Sequence, residues 1–296
     1  MRDVFKNYHP LVNFLYFALV LAFAVVLRHP LAQCVCLACG IAYSIQCEGR
    51  KATMFSLKFC LPLLLLTAFM NPAFSHAGVT ILLYFPTGNP LTLESILYGV
   101  SSGIMMASVL VWFTSFNRVI TSDKFIYLFG RVIPALSLVL SMTLRFVPKF
   151  KAQFAAVTDA QRSVGRDVST GSVWRRTKTA VTILSIMVTW SLENAIETAD
   201  SMRSRGYGLP GRSAFSIYRF DDRDQAALVW LGFCAVFLVC GTMVEAFGFR
   251  YYPSIRYQSL DAVTLSFHLV YLLLCGTPIF LNCLENRKWK AIRSAM

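Results

Sequence analysis

Apolar residues occur along this chain in long blocks, and polar segments rich in turn residues separate the blocks. A membrane-spanning helix needs about 20 consecutive, mostly apolar residues. The pattern therefore predicts an all-α polytopic membrane protein with about six transmembrane helices. The predicted spans are residues 11–27, 31–47, 57–74, 93–116, 228–247 and 260–284. The intervening segments 75–92 and 248–258 are predicted to be loops.

The block 117–224 differs in character, because it carries 16 Lys and Arg residues and 9 Asp and Glu residues. It contains one strongly apolar piece, 125–147, which is interrupted by Arg131, Pro134 and Arg145. An arginine in the middle of the bilayer costs at least about 2.5 kcal/mol. We therefore expect this piece to lie at the membrane boundary or under the spans. A true crossing remains the alternative.

Beyond this piece, Pro148 is predicted to begin a new helical segment, 149–165. A polar connector leads from it to a helix at 177–206, whose first half is apolar and whose second half is charged. Such a helix could begin against the membrane and end in water. The predicted organisation is four N-terminal spans in 1–116, a cytoplasmic helical block in 117–224, and two C-terminal spans with a basic tail in 225–296.

The distribution of charge predicts how the spans are oriented in the membrane. The chain is 56% hydrophobic and only 15% charged, yet its net charge is +13. With six spans, 25 of the 28 basic residues fall on one side, and only Arg28, Arg250 and Arg256 fall on the other. Basic residues near spans face the cytoplasm. We therefore predict a bacterial-type plasma membrane protein with both termini and 117–224 in the cytoplasm, and no nucleic-acid partner.

Gly99, Gly103 and Ala107 place small side chains four residues apart in the fourth predicted span. This spacing puts them on one face of a helix, where a second helix can approach closely. We predict a close-packing stripe here. An ordinary lipid-facing helix is the alternative.

Residue types that carry chemistry are sparse in this sequence. No phosphate-binding GxxxxGK[ST] and no HExxH is present, and the four histidines are scattered. Cys36 and Cys39 form an isolated CxxC, which we interpret as small buried residues of a membrane helix. We predict a non-enzymatic chain with no catalytic residues, no metal site and no cofactor of its own.

Two charged helix patterns each end near an arginine and a glycine, at Arg162 with Gly165 and at Arg205 with Gly206. Glycine suits the left-handed residue that ends a helix. The guanidinium offers a rigid fork of donors that fits a partner's carboxylates or carbonyls. We predict docking sites at these ends, and helix capping with solvated charge is the alternative. The predicted docking residues are Gln161, Arg162, Ser163, Ser204, Arg205 and Gly206.

Several sequence motifs resemble the transmembrane T component of energy-coupling factor (ECF) transporters, the CbiQ-like family. The similarity is strongest from residue 71 to 208. The motifs are Asn71-Pro72-Ala73-Phe74-Ser75-His76-Ala77-Gly78, Thr121-Ser122-Asp123-Lys124-Phe125, Leu144-Arg145-Phe146-Val147-Pro148, Ala160-Gln161-Arg162-Ser163 and Met202-Arg203-Ser204-Arg205-Gly206-Tyr207-Gly208. The last two resemble the paired X-Arg-X motifs of that family, which read close to Ala-Arg-Gly. Here they are Gln-Arg-Ser and Ser-Arg-Gly, so the first departs at both flanking positions.

The resemblance implies an ABC-type importer in which two cytosolic ATPases bind ATP and Mg²⁺, and a membrane S component binds a vitamin or metal ion. The T component links them, so 117–224 would be its coupling-helix domain, with one arginine end for each ATPase. The implied S-component platform consists of Phe125, Leu128, Ile133, Leu136, Leu140 and Leu144.

Three other functions remain open from the residues alone: a stand-alone permease, a membrane enzyme, and an anchor for a soluble complex. Permeases commonly use charged groups near the bilayer midplane, and such groups are nearly absent from the predicted spans. A membrane enzyme would need a clustered catalytic set, which the sequence does not show.

Overall fold

The computed structural model describes residues 3–84, 90–130, 133–210, 218–259 and 261–295. Its helices are α1 (Pro10–Val26), α2 (Pro30–Glu48), α3 (Arg50–Phe74), α4 (Leu93–Val119), α5 (Ser122–Gly130), α6 (Pro134–Ser163), α7 (Val173–Ser204), α8 (Asp222–Met243) and α9 (Ala262–Ala295), preceded by a 3-10 turn at Phe5–Asn7. The described chain is mostly helical, which confirms the predicted all-α class.

Two hairpins occupy segments that were predicted to be loops. Strand β1 (Ile81–Tyr84) pairs antiparallel with β2 (Pro90–Thr92), and β3 (Phe249–Arg250) pairs antiparallel with β4 (Arg256–Tyr257). The prediction missed them because strands of two to four residues leave almost no periodic signal.

Six helices within the described residues are long and apolar enough to cross a membrane, namely α2, α3, α4, α7, α8 and α9. The number of candidate spans agrees with the prediction, but α7 is one of the six and α1 is not. Helix α1 has 17 residues, so it is about 26 Å long, slightly less than the roughly 30 Å of a hydrocarbon core. Helix α7 qualifies through its apolar middle, residues 179–192, which lies between charged ends.

Helices α1 and α2 begin with the same local structure. The Nδ1 atom of His9 accepts a hydrogen bond from the N–H of Leu11, and that of His29 accepts one from Leu31, both at 3.3 Å. The proline that follows each histidine is the first helical residue, where its missing N–H costs nothing. The repeated His-Pro-Leu sequence thus sets the start of both helices.

The apolar segment 125–147 does not form one helix, which corrects the prediction. It is divided between α5, which ends at Gly130, and α6, which begins at Pro134. The predicted break at Pro148 is also wrong, because α6 continues through it to Ser163. Strong helix formers such as Lys, Ala and Gln follow Pro148 and offset the one lost backbone bond.

The two C-terminal helices have different bounds from those predicted. Helix α8 begins at Asp222, because the N–H of Asp221 donates to the Asp224 carboxylate at 3.1 Å in a capping arrangement. It ends at Met243, close to Glu245, whose φ is 56°. Helix α9 continues to Ala295, so the predicted basic tail is helical to that residue.

The chain divides into two compact units. The first consists of Met1–Phe125 with Tyr218–Met296, and the second of Ile126–Ile217. The first unit therefore combines α1–α4 with α8 and α9, and the second contains α6 and α7.

An aromatic core lies at the centre of the first unit, among α1, α2, α4, α8 and α9. Tyr16 and Trp112 are fully buried there. The hydroxyl of Tyr16 donates to the carbonyl of Cys275, and the indole N–H of Trp112 donates to the carbonyl of Cys36, both at 3.1 Å. These bonds satisfy the polar atoms that burial would otherwise leave unpaired.

Gly99, Gly103 and Ala107 lie where α4 meets its neighbours in the first unit. A Cβ atom on Gly103 would come within 3.1 Å of the Cα of Leu64 on α3, and one on Gly99 within 3.1 Å of the Cα of Ala68. Ala107 is 3% exposed and packs in a small apolar cluster. The small residues thus let the backbones of α3 and α4 approach closely.

Candidate functional site

The end of α6 is held by a pair of backbone hydrogen bonds. Gly165 has a φ of 77°, which glycine adopts without strain. Its N–H donates to the carbonyl of Arg162 at 2.9 Å, and the N–H of Arg166 donates to the carbonyl of Gln161 at 2.9 Å. These two bonds form a Schellman motif, which satisfies carbonyls that the helix leaves free.

The end of α7 has the same geometry. Gly206 has a φ of 78°, and its N–H donates to the carbonyl of Arg203 at 3.0 Å. The N–H of Tyr207 donates to the carbonyl of Met202, also at 3.0 Å. Two helices of the second unit therefore end in the same motif.

The two motifs align residue by residue on their glycines. Ser163 Oγ donates to the carbonyl three residues before it at 2.8 Å, and Ser204 Oγ does the same at 2.9 Å. Both segments read Asp-x-x-Arg-Ser-x-Gly. Arg162 therefore corresponds to Arg203, and Val164 corresponds to Arg205.

The sequence motifs predicted that Arg162 and Arg205 occupy equivalent positions at the two helix ends, and the caps show that they do not. They lie two positions apart relative to the capping glycine, and sequence analysis did not single out Arg203 or Val164. An alignment on the two glycines would have found both, because the cap is a local feature.

Charge at the α6 end is partly neutralised. Arg162 Nε lies 3.5 Å from Asp167 Oδ2, and the arginine side chain is 71% exposed. A hydrogen bond from the N–H of Ser169 holds the pKa of Asp167 below its usual value, as does one from the Ser169 hydroxyl, and Arg162 adds to the effect. An exposed pair of this kind is weak, because water and salt screen both charges. The guanidinium therefore remains able to exchange Asp167 for another carboxylate.

Contacts between α6 and α7 show that the two helices run antiparallel. The rings of Phe150 and Trp190 meet edge to face with centroids 5.3 Å apart, and the Lys149 amine donates to the Asn194 side chain. Further along α6, Val157 joins a buried cluster whose α7 members lie earlier in the chain, at Ile183 and Met187.

The antiparallel arrangement directs the two capped ends away from each other. Helix α6 ends 13 residues after Phe150, and α7 ends 14 residues after Trp190. At 1.5 Å per residue, each end lies about 20 Å from this contact, so up to about 40 Å separates them.

The predicted platform residues are distributed over α5, the connection after it, and α6. Phe125 and Ile133 are 40% and 48% exposed, and Leu128 is half-buried. On α6, Leu140 and Leu144 are one turn apart and at least partly exposed. The side chain of Leu136 lies outside the described set. The platform is therefore not the single helix that was predicted.

Helix α7 carries an exposed apolar stripe that sequence analysis did not single out. Its members are Val181, Leu184, Val188 and Leu192, which are 51–62% exposed. Their spacing of three or four residues places them on one face of the helix, and this period was the available signal.

A model of the CbiQ family, described as cobalt transport protein, matches residues 9–217, which is well over half of the chain. The chain belongs to the CbiQ family. Among curated relatives, the energy-coupling factor transporter transmembrane protein EcfT 1 of Listeria monocytogenes serotype 1/2a (strain 08-5578) is 28% identical over 200 residues, covering 62% of this chain and 73% of the relative. The EcfT protein of Lactobacillus helveticus (strain DPC 4571) is 35% identical over 96 residues, covering 32% of this chain and 35% of the relative.

The CbiQ family match and the six apolar helices identify this chain as a multi-pass membrane protein, and the matched relatives are named as transmembrane proteins of energy-coupling factor transporters. They confirm the family expected from the sequence motifs. The CbiQ match ends at residue 217 and so includes both capped helix ends.

Proposed function

We propose that this chain is the coupling subunit of an ECF-type importer. It would transmit motion from two ATP-hydrolysing subunits in the cytoplasm to a membrane S component that binds a vitamin or a metal ion. The observation that supports this role best is the pair of Schellman-capped, cationic helix ends on antiparallel α6 and α7. A separation of up to about 40 Å lets each end contact a different subunit.

Docking to the ATPases would depend on the charge of the exposed arginines and on the stiffness of the capped helices. Arg162, Arg203 and Arg205 are exposed at the capped ends, and each can form charge-assisted hydrogen bonds with a partner's carboxylates. A capped helix moves as one stiff element, so displacement of its end is transmitted to the Phe150–Trp190 contact. The ATPases would bind ATP and Mg²⁺, and this chain would need no cofactor.

Contact with the S component would depend on the exposed apolar surfaces of α5, α6 and α7. The platform residues of α5 and α6 and the stripe of α7 are typical of surfaces that face lipid or another membrane helix. Motion of α6 and α7 would reorient an S component that packs on these surfaces. The S component, which carries the binding pocket, would determine the solute.

The proposed topology places both termini and 117–224 in the cytoplasm. It uses α1 as a span and leaves α7 at the membrane surface. Helix α1 contains no charged residue and supplies Tyr16, Phe17 and Val20 to the core of the first unit. Helix α7 contains charged residues at both ends, so its crossing would carry several charges into or through the bilayer.

The test is reconstitution with the ATPase subunits that copurify with the unaltered chain. We expect Arg205→Glu to weaken ATPase copurification and to abolish ATP-dependent uptake into liposomes, while membrane insertion is unchanged. Losing one partner of a buried charge pair costs about 2–5 kcal/mol at an interface. Lys178→Glu is the matched control, because it reverses an exposed charge on the same helix far from the capped end.

The permease and anchor alternatives predict different results. Unchanged copurification and uptake in Arg205→Glu would refute the docking role. Solute uptake by the purified chain alone would indicate a permease, and copurification without any ATP-dependent uptake would indicate an anchor.

A further inference from the structure

The two capped ends share their geometry but present different chemistry at one position. The residue immediately before the capping glycine is Val164 on α6 and Arg205 on α7. Because each precedes the left-handed glycine, both side chains project from the tip of a helix. Val164 is 72% exposed, and Arg205 is also exposed.

The two seven-residue segments differ at three positions, and only the position of Val164 and Arg205 differs in charge. Asp, Arg, Ser and Gly occupy the same places in both segments, and the serine hydroxyls make the same backbone hydrogen bonds. The α6 end therefore presents an aliphatic tip between Arg162 and Arg166, whereas the α7 end presents an arginine at the tip itself, two residues after Arg203. Val164 is too exposed to contribute much to the fold of this chain through burial.

We propose that Val164 and Arg205 direct the two ends to two chemically different sockets on the ATPase subunits. The socket for α7 would be acidic and accept the Arg205 guanidinium, and the socket for α6 would be apolar and accept Val164. This inference rests on the proposed docking role and adds a specificity determinant to it.

The reason is that one socket cannot serve both tips equally well. A carboxylate that faced Val164 would be desolvated without a partner, and an apolar wall that faced Arg205 would bury an uncompensated charge. Two identical acidic sockets would therefore leave the Val164 tip without a matching contact. Arg162, which already lies beside Asp167, reaches sideways from the helix two residues before the tip.

The decisive variant is Val164→Arg, which gives both ends the same tip. Different sockets predict that this change weakens binding to the copurifying ATPase subunits by about tenfold or more, because an apolar socket would receive a charge. Two acidic sockets predict tighter or unchanged binding. Either of these latter results would overturn the proposal.

Two further variants separate the tip chemistry from folding and from the docking role itself. Val164→Leu keeps the tip apolar, so binding is expected to stay within about twofold of the unaltered chain. Arg205→Val should weaken binding, because an acidic socket would lose its cation. If Arg205→Glu leaves binding unchanged, docking through these ends fails altogether. If Arg205→Glu weakens binding and Val164→Arg does not, only the difference between the sockets fails.

Discussion

Phe150 of α6 and Trp190 of α7 meet edge to face, with ring centroids 5.3 Å apart and an interplanar angle of 79°. The contact lies near the middle of both helices, at a similar distance from each capped end. It is therefore placed to act as the pivot of the proposed pair of levers, where motion at one end changes the crossing of the two helices.

Trp190→Ala should uncouple ATP hydrolysis from transport without preventing ATPase docking. An aromatic pair contributes about 0.5–1.5 kcal/mol beyond its buried area, so its loss should loosen the α6–α7 crossing. We expect ATPase copurification to persist and ATP-driven uptake to fall severalfold. Trp174→Ala is the control, because Trp174 lies on the same helix and is 82% exposed. Equal uptake by the two variants would show that the Phe150–Trp190 contact does not act as a pivot.

Gly103→Ala should destabilise the first unit, because its new Cβ would lie 2.6 Å from Thr67 Oγ1 and 3.1 Å from the Cα of Leu64. Overpacking of this kind costs about 1–3 kcal/mol. Gly276→Ala on α9 is the control, since nothing lies within 4 Å of its Cβ. Thermal unfolding of the detergent-solubilised chain should give a lower midpoint for Gly103→Ala only. A normal midpoint for that variant would mean that α3 and α4 can separate without cost.

Glu94→Gln should loosen the connection between α3 and α4. The buried Glu94 carboxylate accepts hydrogen bonds from the Thr80 N–H at 3.2 Å and from the Thr80 hydroxyl at 2.8 Å. Both bonds go to Oε1, and the Thr80 N–H also lies 3.3 Å from Oε2. Glutamine would place an NH₂ donor at the Oε2 position and would remove the negative charge that strengthens these bonds, so we expect a loss of about 1–3 kcal/mol in unfolding free energy. Glu245→Gln removes the same charge at an exposed site and should have little effect. The same thermal unfolding measurement compares the two.

Stability should depend on pH through Lys124, which lies in α5 and is 5% exposed. Burial, with the nearby charge of Lys6, lowers the pKa of Lys124 to about 8, and Asp3 opposes this shift. The unfolded chain, with a lysine pKa of about 10.4, binds more protons between these two values. The contribution of Lys124 to stability should therefore rise from pH 8 to pH 10.

The variant Lys124→Met isolates this contribution, because other groups also titrate over the same range. The difference in unfolding midpoint between the unaltered chain and Lys124→Met should shift in favour of the unaltered chain as pH rises. Parallel pH profiles would show that the Lys124 amine titrates normally in the fold.

The membrane fold could be predicted largely from sequence, because each span depends on the apolar content of its own segment. Prediction was weaker where local signals compete. Pro148 was expected to end a helix, yet α6 continues through it, and Pro134 begins a helix within a segment that was expected to be continuous. A proline can start a helix or lie within one, and only its neighbours decide between these outcomes.

The sequence by itself determined the all-α class, the apolar blocks and the two glycine-capped helix ends, since caps and hydrophobic runs are set by residues close together in the chain. Only the tertiary structure decided that α6 and α7 run antiparallel, and that α1 shares a core with α8 and α9. The equivalence of Val164 and Arg205 likewise became visible from the backbone bonds of the two caps. The helix packing depends on side chains that are distant in sequence and meet only when the helices pack, which no local pattern specifies.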